Sequence, residues 1–380
     1  MRVVLISTYE MGRQPFGLAS PTAWLERAGA EVACLDLSRE PLDEDAIRAA
    51  GLIAFYVPMH TATRLAARLV PRIRRLSAAA HLCFYGLYAP ANAEFLRSLG
   101  AATILGGEFE AGLVSLYERL CQSRDGGPGP QAEPLISLDR LRFVVPDRSR
   151  LVPLNEYARL ISTDGARRVV GYTEASRGCK HLCRHCPIVP VYQGGFRIVD
   201  RDIVLEDIRR QVAAGASHIT FGDPDFFNGA GHAIAIVRRL HEEFPSLTYD
   251  ATIKIEHLLE HRQHLATLRS TGCLFVTSAV ESIDDRVLAL LDKGHTRAGF
   301  LEALGLCRAA GLTLAPTFVA FTQWTTLEGY RELLALLAAE DLIPNVAPIQ
   351  LAIRLLIPAG SRLLELPEVL ALVGAFDSEA

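Results

Sequence analysis

Three cysteines fall within eight residues in Ser176-Arg177-Gly178-Cys179-Lys180-His181-Leu182-Cys183-Arg184-His185-Cys186-Pro187, spaced Cys-x3-Cys-x2-Cys. Thiolates are soft ligands suited to iron–sulfur clusters and to zinc. Three of them this close cannot lie along a strand, where alternate side chains diverge, but a loop can turn all three onto one compact cluster. Three thiolates on four irons leave one iron open for a substrate, so Cys179, Cys183 and Cys186 are read as ligands of a [4Fe–4S] cluster. The rival ligand set is zinc, with His181 or His185 as fourth ligand. Zinc ribbons pair two Cys-x2-Cys hooks, and the sequence has no second hook. The other five cysteines, Cys34, Cys83, Cys121, Cys273 and Cys307, sit in apolar patterns and read as core fillers.

A loop of this kind needs a scaffold. In the second half of the chain, β-branched runs at 169–174, 217–222, 247–252, 274–279, 313–319 and 346–352 alternate with helical patterns at 203–214, 231–243, 256–270, 297–310 and 326–339. Six βα steps suggest a partial barrel, whose chemistry collects at the carboxyl ends of its strands. The cysteines follow the first of these strands and so land on that rim. The stretch 346–352 reads as a buried sixth strand pointing Gln350 and Arg354 inward.

The first third alternates in the same way, with strands at 2–7, 31–35, 52–57, 81–86 and 102–105 and helices at about 20–29, 43–50, 61–78, 90–99 and 109–121. This is the pattern of a doubly wound α/β domain. Gly/Pro density in 123–135 cannot hold a regular element and marks a linker, continuing as an irregular connection to about 160. The expected division is 1–122 for the front domain, 123–160 for the linker, 161–360 for the barrel and 361–380 for a tail.

The cysteine loop after the first barrel strand resembles the hallmark of the radical S-adenosylmethionine (SAM) superfamily, a (β/α)6 partial barrel. The resemblance covers roughly the second half of the chain. It implies that His185, the residue before the third Cys, contacts the adenine. It implies that Gly222, Asp223 and Asp225 in Phe221-Gly222-Asp223-Pro224-Asp225-Phe226 hold the methionyl amino group. It also implies that Ser278 and Glu281 in Ser278-Ala279-Val280-Glu281-Ser282 lie near the ribose, although the family's Gly is replaced there. Asp223 as a helix cap and Glu281 as a rim ion pair are the alternatives. The implied activity is reductive cleavage of SAM at the cluster to modify a small-molecule substrate, with flavodoxin or ferredoxin as electron donor.

Behind such a barrel, the front domain resembles the cobalamin-binding module of the superfamily's B12-dependent members. Gly86 in Tyr85-Gly86-Leu87-Tyr88-Ala89-Pro90, with Gly106 and Gly107 in Ile104-Leu105-Gly106-Gly107-Glu108-Phe109-Glu110, match its turns near the corrin. The Asp-x-His-x-x-Gly loop that supplies a lower axial His is absent after the first strand, where the chain reads Thr8-Tyr9-Glu10-Met11-Gly12, and His60 reads as a solvated or capping residue. Either cobalamin binds without a His ligand, or the domain has lost it and serves as scaffold or lid. The segment from Arg177 to Tyr192, with 344–358, resembles a subgroup named for a Cys- or selenocysteine-bearing tail and related to arsinothricin-biosynthesis enzymes. That tail is missing here, and a truncation, or a UGA codon read as stop, would account for the ending at Ala380.

Composition bounds the rest. The 39 Lys plus Arg nearly balance 43 Asp plus Glu, leaving a formal charge of -4, which does not ask for nucleic acid as a partner. The start Met1-Arg2-Val3-Val4-Leu5-Ile6 runs into a strand, and no apolar run approaches the ~20 residues of a membrane span, so a cytoplasmic protein is expected. Three readings of the reaction stay open: 5′-deoxyadenosine chemistry, transfer of a 3-amino-3-carboxypropyl group, and cobalamin-dependent methyl transfer. A zinc- or redox-sensing protein without catalysis is the reading from another class.

Overall fold

The computed structural model describes residues 1–124, 132–161 and 165–375. Most of the Gly/Pro-rich linker and the chain's last five residues, both singled out in the sequence, lie outside the described residues. The chain divides into two compact units, Met1–Gly171 with Arg209–Ala216, and Tyr172–Ile208 with Ser217–Gly374.

The first unit runs β1 (Arg2–Ser7), α1 (Phe16–Arg27), β2 (Glu31–Asp36), α2 (Glu44–Ala49), β3 (Leu52–Tyr56), α3 (His60–Leu76), β4 (His81–Tyr85), α4 (Tyr88–Ala91), α5 (Ala93–Ser98), β5 (Thr103–Gly107), α6 (Phe109–Arg124) and β6 (Ile136–Ser137). The strands pair in parallel in the order β2-β1-β3-β4-β5-β6. Both faces of this sheet are apolar, as a parallel sheet between helices requires. Val4, Ile6, Ile53, Phe55, Leu82 and Phe84 pack one way against Ile47, Ala66, Val70 and Leu96. The alternate residues Val3, Leu5, Leu52, Ala54, Cys83 and Tyr85 pack the other way against Leu18, Leu25, Leu113 and Leu116. Alternate residues of each strand thus serve opposite cores, which explains the near-continuous apolar runs in the sequence. The expected doubly wound domain is present, with a sixth strand, β6, inside the segment read as irregular. Asp43 caps α2 by accepting from Asp45 N and Ala46 N.

The chain continues through β7 (Arg159–Ile161), β8 (Arg167–Thr173), β9 (Ser176–Gly178), α7 (Val189–Tyr192), β10 (Phe196–Ile198), α8 (Arg201–Ala213), β11 (His218–Phe221), α9 (Ala230–Glu243), β12 (Thr248–Thr252), α10 (Ile255–Glu260), α11 (Leu265–Ser270), β13 (Cys273–Glu281), α12 (Asp285–Leu290), α13 (Arg297–Ala309), β14 (Thr313–Phe318), α14 (Leu327–Ala339) and α15 (Pro367–Leu370). The second sheet has the order β14-β13-β12-β11-β8-β7. Strands β11 to β14 pair in parallel, and β7 is antiparallel to β8. This curled half-barrel agrees with the expected fold class, but its sixth strand differs from the one expected.

The stretch 346–352 is not a strand. Pro348–Leu351 forms a 3-10 turn, as does Ile343–Asn345 before it. Pro344 and Pro348 carry no N–H to give a ladder, which breaks the alternation the apolar residues suggest. Only an isolated bridge joins Phe321 to Arg354. Arg354 is exposed rather than inward-facing. Gln350 reaches the edge of β14 instead, where its Oε1 accepts from Phe318 N at 3.3 Å. The helix expected at 256–270 is broken into α10, a 3-10 turn at Arg262–His264, and α11. Among the described residues, no helix is long and apolar enough to cross a membrane.

Candidate active site

The cysteine loop is closed at its base by a two-strand ribbon. Strands β9 and β10 pair antiparallel, with Gly178 opposite Phe196 and Ser176 opposite Ile198. Gly178 adopts φ +73°, and a Cβ there would lie 2.4 Å from the Tyr192 ring and 2.6 Å from Gly195 O. A side chain is excluded twice over, by conformation and by space. Asn228 then fixes the first cysteine. Its Nδ2 donates to Gly178 O at 3.3 Å, its Oδ1 accepts from Lys180 N at 3.2 Å, and Cys179 Sγ lies 3.8 Å from that oxygen. Cys186 N donates to Cys183 O, closing the turn between the last two cysteines.

The far side of the loop is held by α12 and the tail. Arg184 N donates to Leu291 O at 2.9 Å, and its Nη1 donates to Leu290 O at 3.0 Å. Ser361 Oγ donates to Arg184 O at 3.0 Å, and Arg362 Nη1 donates to Leu182 O at 2.6 Å. Leu363 and Val369 pack on Val287 and Leu291 beneath them.

All three loop cysteines are free thiols. Burial pushes Cys186 up to about 12 and also raises Cys179, so these groups keep their protons until a strong positive charge arrives. Iron supplies that charge, and the donor set of three convergent soft ligands fits a [4Fe–4S] cluster. The zinc alternative needs an imidazole as fourth ligand. His185 Nε2 is instead given to Glu281 at 3.1 Å, and His181 groups with Asp225 and His257 rather than with a cysteine.

The structure brings His185 and Glu281 together, two residues the sequence named separately. Glu281 ends β13 with φ +69°, a conformation costly for a residue with a Cβ. Lys293 Nζ stands 3.5 Å from the same carboxylate oxygen. Burial would push the Glu281 carboxyl up, but Lys293 and His185 overcome it and hold it at about 2. The carboxylate is therefore charged and fixed. Ser278, fully buried on the same strand, has an Oγ without a hydrogen-bond partner, and His185 Nδ1 also lacks one. Orphaned buried polar atoms beside a fixed charge suit a polar cofactor that completes them. A cleft of about 310 Å³ opens next to Glu281, lined by Asp284, Arg297, Trp324, Thr325 and Tyr330 among others.

The residues after β11 have partners within the protein. Asp223 Oδ2 accepts from Ala175 N at 2.9 Å and Oδ1 from Ser176 Oγ at 2.5 Å, tying β11 to the start of the ribbon. Burial nevertheless lifts this carboxyl to about 6. Gly222 is required by Tyr172, whose hydroxyl would lie 1.9 Å from an added Cβ. Asp225 Oδ1 accepts from Phe227 N at 3.1 Å, and Oδ2 turns toward His257. Asn228, Ser361 and Arg362 carry no local signal in the sequence, because each acts on residues distant in the chain, whereas Lys293 belongs to the Lys293-Gly294 pair that the resemblance includes.

The front-domain glycines are filled by the protein itself. A Cβ on Gly86 would meet the Tyr56 ring and Val57 O at 3.1 Å, one on Gly106 would lie 2.1 Å from Pro90, and one on Gly107 would lie 2.1 Å from Ser137 O. Tyr56, Tyr85 and Phe109 pack together at the carboxyl ends of β3 and β4, and Tyr85 donates to Gly17 O at 2.7 Å. Chain packing accounts for these three glycines, and a cavity of about 200 Å³ opens beside Gly106, lined by Glu108, Phe109, Ser115 and Ser137 among others. His60 opens α3 and is half-buried.

Residues 173–325 match the family described as the Radical SAM superfamily. The hopanoid C-3 methylase of Methylococcus capsulatus is 27% identical over 228 residues, covering 58% of this chain and 43% of its own. A tRNA-2-methylthio-N(6)-dimethylallyladenosine synthase of Chlorobium phaeobacteroides is 25% identical over 228 residues, covering 56% and 51%. The chain spans about half the length of these curated relatives. In fold, it resembles the radical SAM methyltransferase TsrM from Kitasatospora setae, solved with cobalamin and a [4Fe-4S] cluster. The TM-score is 0.69 at 19% identity, over 90% of this chain and 73% of that one. It also resembles the cobalamin-dependent SAM radical enzyme OxsB, solved with aqua-cobalamin and SAM, with a TM-score of 0.70 at 14% identity over 100% and 63%. The cysteine loop, the strand-end residues around it and these likenesses agree: residues 173–325 form a domain that matches the Radical SAM superfamily.

Proposed function

We propose that the protein reductively cleaves SAM at a [4Fe–4S] cluster on Cys179, Cys183 and Cys186 to modify a small-molecule substrate. The observation that carries this reading is the meeting of the cysteine loop, through His185, with the charged pair of Glu281, at the end of β13, and Lys293, just after α12. The cluster, when bound, supplies the single electron that breaks a carbon–sulfur bond of the sulfonium. The protein's own residues bind and orient. His185 packs at the adenine, Glu281 and Ser278 take the ribose hydroxyls, and Gly222 with Asp223 forms the wall beyond β11. The cleft beside Glu281 takes the substrate, and a flavodoxin or ferredoxin supplies the electron.

Anaerobic reconstitution tests this. About four irons per chain are expected, as one such cluster requires, with loss of the cluster in Cys179→Ala, Cys183→Ala and Cys186→Ala. With dithionite, chromatography separates 5′-deoxyadenosine, the expected product, from methylthioadenosine, which would mark 3-amino-3-carboxypropyl transfer. Failure to bind iron, or absence of both products, refutes the reading.

A second reading, cobalamin-dependent methyl transfer, is favoured by the likeness to TsrM and OxsB. Growth with cobalamin followed by anaerobic purification tests it, since a bound corrinoid gives visible absorption bands.

A further inference from the structure

Beside the cysteine loop lies a second group of metal-ligating side chains. His181, between the first two cysteines, Asp225, after β11, and His257, in α10, each bring one ligand atom within 4.8 Å of the others. Asp225 Oδ2 is 2.6 Å from His257 Nδ1 and 3.7 Å from His181 Nε2, and the two imidazoles approach to 3.2 Å through their Nε2 atoms. Asp225 is 2% exposed and His257 1%.

The alignment of these atoms matters more than their closeness. Asp225 Oδ2 and His257 Nδ1 are near enough to bond, yet neither has a hydrogen-bond partner. A buried acceptor and a buried ring nitrogen left this way carry an uncompensated desolvation cost. An ion between them removes that cost, because ligand atoms about 2.0–2.2 Å from a common metal stand roughly 3 Å apart without pointing at one another. The outer partners fit as well. His181 Nδ1 lies 3.5 Å from Glu256 Oε2, and Lys254 Nζ holds that carboxylate at 3.0 Å. A metal-bound imidazole commonly gives its other ring N–H to a carboxylate, which fixes its tautomer.

We infer that His181, Asp225 and His257 form a mononuclear site for a divalent zinc-type ion, separate from the cluster ligands. Two imidazoles and one carboxylate are a donor set of zinc sites that keep a position open for water or substrate. Through His181, the ion ties the cysteine loop to β11 and α10. Asp225 then serves this ion, which leaves the SAM wall to Gly222 and Asp223.

The full chain, reconstituted with iron and sulfide, is incubated with excess Zn2+ and desalted, and iron and zinc are counted. One zinc beside about four irons is expected. The triple variant Cys179→Ala/Cys183→Ala/Cys186→Ala is expected to lose the iron and keep the zinc. Asp225→Asn and His257→Gln, made singly, are expected to keep the iron, which reports an intact loop, and to lose the zinc. Zinc absent from the parent, zinc that leaves with the cysteines, or zinc that survives both single substitutions overturns the site. Missing iron with one retained zinc would refute the SAM reading and leave this one standing.

Discussion

His185 Nε2 lies 3.1 Å from Glu281 Oε1 across 96 residues of chain, and Lys293 Nζ approaches the same oxygen at 3.5 Å. Glu281 thereby joins the cysteine loop to the end of β13. Its partner Lys293 is only 3% exposed. Glu281→Gln leaves that ammonium buried without a counter-charge, at a cost of about 3–5 kcal/mol. The melting temperature should fall on the order of 10 °C. Adding Lys293→Met removes the stranded charge, so the double variant should melt above Glu281→Gln alone. Calorimetry on the three proteins decides this.

The same carboxylate sets an acid limit. It sits at about 2 against an ordinary 4.5, since the pull of Lys293 and His185 exceeds the push of burial. Between those values the unfolded chain takes a proton that the folded one refuses. The stability Glu281 contributes is therefore complete above pH 4.5, shrinks on acidification and is gone below about pH 2. Its full size is on the order of 3 kcal/mol. Urea midpoints of the parent and Glu281→Gln should converge as pH falls from 5 to 3, where an intact gap would refute the assignment.

Gly178→Ala tests the base of the cysteine loop. The left-handed backbone costs a Cβ roughly 1–2 kcal/mol, and the Tyr192 ring and Gly195 O already occupy its place. Gly215→Ala is the control: φ is +101°, but nothing lies within 4 Å of the added Cβ. Both should lose some stability, and only Gly178→Ala should lose iron on reconstitution. Equal iron contents would show that the ribbon does not set the loop.

The contrast between these residues explains what the sequence could reveal. The cysteine spacing and the alternating cores of β1, β3 and β4 are local patterns, so both were readable from the chain alone. The same apolar logic failed at 346–352, where Pro344 and Pro348 remove ladder donors and the Gln350 side chain takes over at Phe318 N. Asn228 on Gly178 spans 50 residues and Ser361 on Arg184 spans 177. Contacts that long leave no periodicity, and only the folded chain shows them. The glycines Gly86, Gly106 and Gly107 were legible as positions needing small residues, but what fills the space beside each is the protein's own side chains and backbone.

Ser361 and Arg362 make the tail a clamp on the cysteine loop, because their donors satisfy the carbonyls of Arg184 and Leu182 at 3.0 Å and 2.6 Å. Ser361→Ala/Arg362→Ala frees both carbonyls to water. A neutral hydrogen bond contributes about 1 kcal/mol and a charged one more, but the Arg362 side chain is 28% exposed, which screens its share. A net loss of about 1–2 kcal/mol in holding the loop closed corresponds to roughly a tenfold rise in opening. Extraction of cluster iron by a ferrous chelator should speed up by about that factor. Arg362→Ala also removes its pairs with Asp292 and Glu365, so Glu365→Gln, which touches neither carbonyl, serves as the comparison. Chelation at the parent rate in the double variant, or equal acceleration in Glu365→Gln, would show that the tail packs beside the loop without holding it.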